Sequence, residues 1–581
     1  MSRRRYLLLA ALILLGATAL RVLWLRADPP TSLDIVWHDE GAWTHNARNM
    51  ALWQTWRTDE WNPVFIAPVF TALEYAAFET FGVGLWQART VPVASGLVAL
   101  IFLMTGLARL AGPRAALVGG ALLATEFTWV MWNRAALMES TMTAFMVVAW
   151  SAYAMAGRRP AWGLVAGVAT TLAWFTKAAA AFFVAAIVLE AVMTIWLARR
   201  RGGIAATDTA ADTRSAWWTL AGLALAGLAA LVFFVWPHWT DYQFYNWQMT
   251  VVRKPSYDFA SLIDRASWLP IVQDVFTRMW PLLIAAIVAM GGILARGREA
   301  APAARLLVLW VVIGLAELTI HDSGNGRRYV MFIPALIALA SLALTSGAPV
   351  LPARLAQASA GTRAAALPVL LLFGSLAFGS LVRAAFGDAV AAGEFAGAVR
   401  TSAALAALAA IVALVWWRRL VSRLAAVRVA GPAALLIVLA SLVWHGAQYG
   451  RWASMRGELN YRASVALGAL LPPDTLVHGK LANGLSLENR IRPVFVGRGF
   501  GNYDDRFERD DVRYILTYEL PREGYESQPG LIAEILARYP QRRRVATFDV
   551  DETPDFDRAA LIDKQPGLAS QAASGLHRAR D

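Results

Sequence analysis

Runs of about twenty mostly apolar residues recur along this chain, long enough to cross the hydrocarbon core of a bilayer as helices. Helices satisfy their own backbone polar groups, so a chain of this pattern is restricted to a bundle of spans. About thirteen such runs can be counted, near residues 6–26, 90–108, 115–132, 137–156, 161–177, 179–198, 217–236, 279–295, 304–320, 328–346, 366–386, 399–417 and 431–449. Alternate connections carry Arg109 and Arg114, Arg158 and Arg159, Arg199 to Arg201, Arg296 and Arg298, Arg354 and Arg363, and Arg418, Arg419, Arg423 and Arg428. All fall on the side of Arg3, which the positive-inside bias assigns to the cytoplasm.

Composition agrees with a multi-pass protein of the plasma (inner) membrane. Of 581 residues 57% are hydrophobic, and mean hydropathy is +0.46. The net charge of +13 comes from small clusters between apolar runs and forms no continuous patch, so nucleic acid is not an expected partner. With no cysteine, disulfides and thiolate metal sites are excluded. The 25 tryptophans fit interfacial belts. Arg3, Arg4 and Arg5 precede an apolar stretch from Tyr6 to Leu25, too long for a signal peptide and without a small-x-small cleavage site. It is expected to stay as the first span.

The first outer loop, 27–66, holds His38-Asp39-Glu40, two adjacent carboxylates just outside the membrane. Asp39 reads either as the N-cap of a helix beginning at Glu40 or as a catalytic carboxylate, and one residue can serve both ends. Residues 63–81 are apolar but carry Glu74 and Glu79, which marks an interfacial helix. Arg134, Lys177, Arg253, Lys254, Arg327 and Arg328 lie at outer ends of spans, where cations are statistically avoided. Each alone is explained by snorkelling or by a structural ion pair such as Arg134 with Glu139. Gathered on one face opposite an acidic pair, they point to an anionic substrate.

Beyond residue 450 hydropathy drops and charges balance, so 1–450 is expected to be the membrane domain and 451–564 a soluble α/β domain on the outer face. Strands are expected at Thr475–Gly479, Pro493–Gly497, Val512–Tyr518 and Arg544–Val550, and helices at Leu481–Asn489 and Gly530–Tyr539. Asp504-Asp505 and Asp549-Val550-Asp551 read as solvated loop charges. The tail 565–581 is expected to be disordered.

Four motifs, in this order and on one side, carry a resemblance: His38-Asp39-Glu40 after the first span, Arg134 through Glu139, Phe175-Thr176-Lys177, and Arg327-Arg328-Tyr329 through Pro334. The chain resembles the polyprenyl-phosphate-sugar glycosyltransferases of GT-C fold. Within these it is most similar to glycosyltransferase family 39, the protein O-mannosyltransferase and lipid A aminoarabinose transferase group. The resemblance implies that Asp39 activates or orients the acceptor, with Glu40 as its companion. Glu139 stands where many relatives have an aspartate. Lys177 and either Arg327 or Arg328 are implied to meet the donor phosphate, with Arg134 as a further candidate. His38, His45 and Tyr329, in or beside the same motifs, are candidate substrate contacts.

Those residue types suit the implied chemistry. Cations stabilise charge growing on a departing phosphate, and a carboxylate takes the proton of an attacking hydroxyl. Attack opposite the phosphate inverts the anomeric centre. The partners expected are a lipid-phosphate sugar and a lipid, glycan or protein acceptor. His38, His45, His238 and His321, even with Asp39 or Asp322, show no tight ligand spacing, so no metal or other cofactor is expected. The metal-dependent oligosaccharyltransferases carry a Trp-Trp-Asp signature, which neither Trp217-Trp218 nor Trp416-Trp417 completes. A lipid or solute transporter is the alternative, although no inverted repeat or pair of broken helices marks one.

Overall fold

The computed structural model describes residues 1–200, 206–249, 274–321, 326–347, 395–426, 431–495, 511–519, 536–550 and 557–565, with most of 351–381. Arg253, Lys254, Asp322, Asp504, Asp505, Asp551, the side chain of His321 and the tail 566–581 lie outside the described residues, as does part of the span expected at 366–386.

The chain is a multi-pass helical protein, and the helices α1 to α12 run in order through its first half. They are α1 (Arg3–Val22), α2 (Trp37–Trp43), α3 (His45–Trp53), α4 (Pro68–Phe81), α5 (Leu85–Ala111), α6 (Pro113–Thr125), α7 (Phe127–Trp132), α8 (Met138–Ala156), α9 (Trp162–Thr176), α10 (Ala181–Arg200), α11 (Ala206–Ala230) and α12 (Trp239–Trp247). Further long helices are Trp280–Arg296, Pro302–His321, Ile333–Thr345, Phe395–Val415 and Pro432–Met455. Among the described residues, seven helices are long and apolar enough to span a membrane, or eight if the pair Ala404–Val415 and Trp417–Ala426, bent by 91°, counts as one span.

One of the expected runs is interrupted. The apolar run 115–132 is broken at Glu126, whose carboxylate accepts the backbone N–H groups of Thr128 and Trp129 at 3.3 and 2.5 Å and so starts α7. At 1.5 Å per residue α6 reaches only ~20 Å, short of a ~30 Å core. Where α9 meets α11, the backbones nearly touch. A Cβ added at Gly167 would stand 2.2 Å from Leu223 N, the close approach that small residues permit between membrane helices. α4 begins near the expected interfacial helix, but Glu74 is fully buried in it, and burial first and Glu40 second hold that carboxyl well above its ordinary value.

The C-terminal region forms a five-stranded sheet. Its strands are β1 (Leu476–His478), β2 (Arg492–Val494), β3 (Tyr514–Tyr518), β4 (Arg543–Val550) and β5 (Asp557–Asp563), in the order β2-β1-β3-β5-β4. β1 pairs parallel with β2 and β3, and β5 antiparallel with β3 and β4. Four strands fall at or near their expected positions, and β5 has no counterpart among the expected ones. The expected helix Leu481–Asn489 is shorter, Lys480–Gly484, and of Gly530–Tyr539 only the last residues are described. Val477, Leu516, Val550 and Leu561 make the sheet's core, and Trp37 of α2 is buried with them. The loop after α1 is thereby built into the C-terminal sheet.

Candidate active site

The acidic loop is held from both sides. Helix α2 starts at Trp37, three residues before the expected Glu40, and its N-cap position is Val36, so Asp39 lies within the first turn and does not cap it. A carboxylate there still suits the positive end of the helix. Gly41 presses so closely on the C-terminal region that a Cβ would stand 1.9 Å from Asn483 O, which no side chain allows. Arg48, fully buried in α3, donates to the carbonyl oxygens of Ser486, Asn489 and Ile491 at 3.1, 3.0 and 2.9 Å. Asp28 accepts from Leu459 N at 2.6 Å, and Asp59 from Phe495 N at 2.8 Å.

The adjacent carboxylates have different partners. Glu40, 2% exposed, forms a fork with Arg89: Nε donates to Oε1 at 2.8 Å and one terminal nitrogen to Oε2 at 2.7 Å. Glu40 Oε1 also accepts from Ala136 N at 2.7 Å, three residues before Glu139. The other terminal nitrogen of Arg89 donates to Leu25 O and Ala27 O. This pair ties α2 to the segment leading into α8 and reaches no open surface. Asp39 instead meets Arg327, whose guanidinium donates to Asp39 Oδ2 at 2.8 Å and through Nε to Glu139 Oε1 at 3.1 Å. Lys177 donates to the same Glu139 Oε1.

Asp39, Glu139, Lys177 and Arg327 are therefore one cluster of two acids and two bases, drawn from α2, the first turn of α8, the end of α9 and the 3-10 turn Gly326–Phe332. Asp39, Lys177 and Arg327 keep 10%, 13% and 16% of their side chains exposed, whereas Glu139 keeps 2%. Glu139 Oε2 is buried with no hydrogen-bond partner among the described residues. Glu139 is thus the most enclosed member of the cluster, and Asp39 and the two cations keep a small exposed share.

The other expected residues lie outside the cluster. Arg134 closes the end of α1, donating to Leu20 O, Arg21 O, Leu23 O and Trp24 O at 2.6–3.0 Å and stacking on Trp452. It takes the orphan carbonyls that every helix C-terminus leaves, and it does not pair with Glu139. Arg328 diverges from Arg327 along the 3-10 turn and comes within 3.8 Å of Glu317. Tyr329 is buried, edge-on to Phe276. His38 Nε2 lies 3.5 Å from Asp39 Oδ1, beside the cluster. His45 is fully buried, and with Asn483 Nδ2 donating to its Nδ1 at 3.0 Å, its Nε2 donates to Asp59 Oδ1 at 2.9 Å. His238 is exposed among Phe65 and Phe234. Among the described residues no group of three His, Asp or Glu side chains is arranged to hold a metal ion.

Arg89 and Arg48 were not singled out in the sequence. Their one signal is position: each is a cation close in sequence to the end of an early span that was expected to face outward, as Arg134 and Lys177 are.

With this geometry, likenesses to known proteins can be placed. Residues 66–245, 180 of 581, match the family model described as Dolichyl-phosphate-mannose-protein mannosyltransferase. That stretch contains Glu139 and Lys177 but neither Asp39 nor Arg327. The whole chain is similar to ArnT from Cupriavidus metallidurans bound to undecaprenyl phosphate, with 18% identity over 98% of this chain and 99% of that one and a TM-score of 0.50. The chain has the GT-C fold. The apo state of the same ArnT gives 20% identity over 96% and 97%, again at a TM-score of 0.50. An oligosaccharyltransferase from Archaeoglobus fulgidus in the apo form is more distant, with 13% identity over 89% and 70% and a TM-score of 0.41. No curated protein matches the chain by sequence. The likeness bears out the GT-C fold that the four motifs implied, and the cluster sits where those motifs converge.

Proposed function

We propose that the chain is an inverting glycosyltransferase that moves a sugar from a polyprenyl-phosphate donor to an acceptor hydroxyl on the extracytoplasmic face. The observation that carries this reading is Arg327 held between Asp39 and Glu139, with Lys177 on the far side of Glu139. The match to a dolichyl-phosphate-mannose transferase family and the likeness to an ArnT bound to undecaprenyl phosphate support the donor class.

In this reading the donor phosphate draws Lys177 and Arg327 toward itself, and Asp39 is released to face the acceptor. The acceptor oxygen forms a bond to the anomeric carbon while the bond to the phosphate oxygen breaks. The bonding pair goes to the phosphate, where the two cations stabilise it, and the hydroxyl proton goes to Asp39. Glu139 holds both cations in place from beneath. Glu40 takes no part in the chemistry and holds α2 through Arg89. Charge neutralisation falls to side chains, so no metal or other cofactor is required.

Purified protein incubated with a radiolabelled polyprenyl-phosphate sugar and envelope lipids or glycans should transfer label to the acceptor. Transport of labelled lipid across a vesicle bilayer with no sugar transfer would replace this reading with a flippase.

A further inference from the structure

The helix Phe395–Val415 is apolar and, at 1.5 Å per residue, about 31 Å long, enough to cross a hydrocarbon core. At Trp416 the chain turns through 91° and continues as the helix Trp417–Ala426. A helix set at right angles to the end of a span runs along the membrane surface, so this second helix lies in the interfacial plane.

Its residues sort into strips around the axis, since positions four apart share a face. Trp417 and Val421 are buried, on the side of the 3-10 turn Ala353–Gln357, and Trp417 Nε1 donates to Leu355 O at 2.6 Å. The next strip round the helix is Trp416 and Leu420, large apolar side chains that are 51% and 38% exposed. Beside it runs a third strip, Arg419 and Arg423, with the Arg419 guanidinium 4.9 Å from the centre of the Trp416 ring. Arg418 stands near the opposite edge of the polar face. All three arginines are exposed, and none makes a hydrogen bond or an ion pair among the described residues. The helix has no acidic residue, so its three positive charges are unopposed along it.

Exposed arginines in water need no ligand, and sidedness alone accounts for their sign. What sidedness does not account for is the pairing of an exposed apolar strip with a basic strip along one in-plane helix. Apolar side chains there leave water by entering the boundary of the acyl chains, and arginines alongside them then lie at the depth of the phosphates.

We infer that Trp417–Ala426 is an in-plane anchor that binds the anionic phospholipids of the leaflet in which Phe395–Val415 ends. Trp416 and Leu420 enter the acyl boundary, and Arg419 and Arg423 hold phosphate oxygens through charge-assisted hydrogen bonds. Arg418 adds attraction to the charged surface at longer range. The inference is independent of the chemistry at Asp39.

Because the chain has no cysteine, Ser422→Cys, at an exposed position between the arginines, takes a single fluorophore. The full-length protein is placed in phosphatidylcholine nanodiscs that contain a small share of doxyl-labelled phosphatidylglycerol or, in parallel, the same share of doxyl-labelled phosphatidylcholine. Quenching should report phosphatidylglycerol enriched about fivefold at the fluorophore, the attraction of one basic residue to an anionic surface. Arg419→Gln with Arg423→Gln should remove most of that preference, and the exposure of both side chains lets the variant fold. About 1 M sodium chloride, where the Debye length falls to ~3 Å, should do the same to the parental protein without any substitution. Equal quenching by the two lipids at low salt, a preference unchanged in the double variant or at high salt, or a fluorophore reached by aqueous iodide and by neither lipid would each overturn the inference.

Discussion

Glu40 and Asp39 are neighbours in one helix turn, yet their surroundings are opposite. The region around Glu40 is closed: Arg89 is matched fork to fork, its remaining nitrogen is satisfied by backbone carbonyls, and neither side chain is more than 3% exposed. Around Asp39 one guanidinium is divided between two carboxylates and a lysine shares the second, close enough to the surface to exchange partners. A pair with every bond made has only architecture to offer. A cluster that shares its cations can give them to an arriving phosphate.

Removing Arg327 should give the largest effect on turnover. Arg327→Ala takes away a preorganised charge at the departing phosphate, a loss of about 10²–10³ in rate where such groups have been removed from enzymes. Sugar-transfer assays on folded, monodisperse protein read this, and near-parental turnover would erase the contrast with Glu40. Arg89→Ala should instead act on stability. Stranding a buried carboxylate costs about 3–5 kcal/mol, so a thermal-unfolding scan should show a drop that Arg327→Ala does not match.

A smaller loss is expected for Arg48→Ala, which strips three carbonyl oxygens, two of them in buried contacts, of their donor. At about 1–3 kcal/mol for an unsatisfied buried group, proteolysis between the loop after α1 and the C-terminal region should accelerate while the helical core stays protected. Uniform protection would show that the two regions are tied elsewhere.

A weaker effect again belongs to the sheet. Burial alone would raise the Asp563 carboxyl, but hydrogen bonds from Arg513 and from Gln565 N hold it below its ordinary 3.8. A depressed acid contributes stability above its unfolded value and loses it as pH falls through the folded one, so the loss lies below about pH 4. Acid unfolding of the C-terminal sheet should be steeper there than in Asp563→Asn. Parallel curves would remove Asp563 from the acid response. At the low end of the scale, a chelator should leave turnover unchanged, and inhibition reversed by a divalent ion would reassign the charge neutralisation to a metal.

Much of this was legible in the chain. The spacing of apolar runs and the sidedness of arginines implied the bundle, and the same sidedness singled out Lys177 and Arg327 as cations in a disfavoured place. Choosing Arg327 over Arg328 required the 3-10 turn, which sends consecutive side chains in different directions. Arg134 shares its location with the cluster residues, and only the fold reveals that it closes the end of α1, more than a hundred residues away. Hydropathy counted 115–132 as one span because a single glutamate barely lowers a long average, whereas Glu126 ends a helix there. β5 escaped notice because its apolar centre, Ala559 to Ile562, is too short to stand out before it pairs with β3 and β4.

The division of labour between the two acids is tested most directly by placing Asp39→Asn beside Glu40→Gln. Each change keeps the size of its side chain and removes one charge. With amounts of folded protein and donor binding measured in the same preparations, Asp39→Asn should fold and bind donor as the parent does and turn over about 10²–10⁴ more slowly, the loss of a positioned base. Glu40→Gln should lose stability, and per folded molecule it should retain the greater part of its turnover. Parental turnover in Asp39→Asn, or a chemical defect confined to a fully folded Glu40→Gln, would contradict the assignment of Asp39 as the base and Glu40 as the brace.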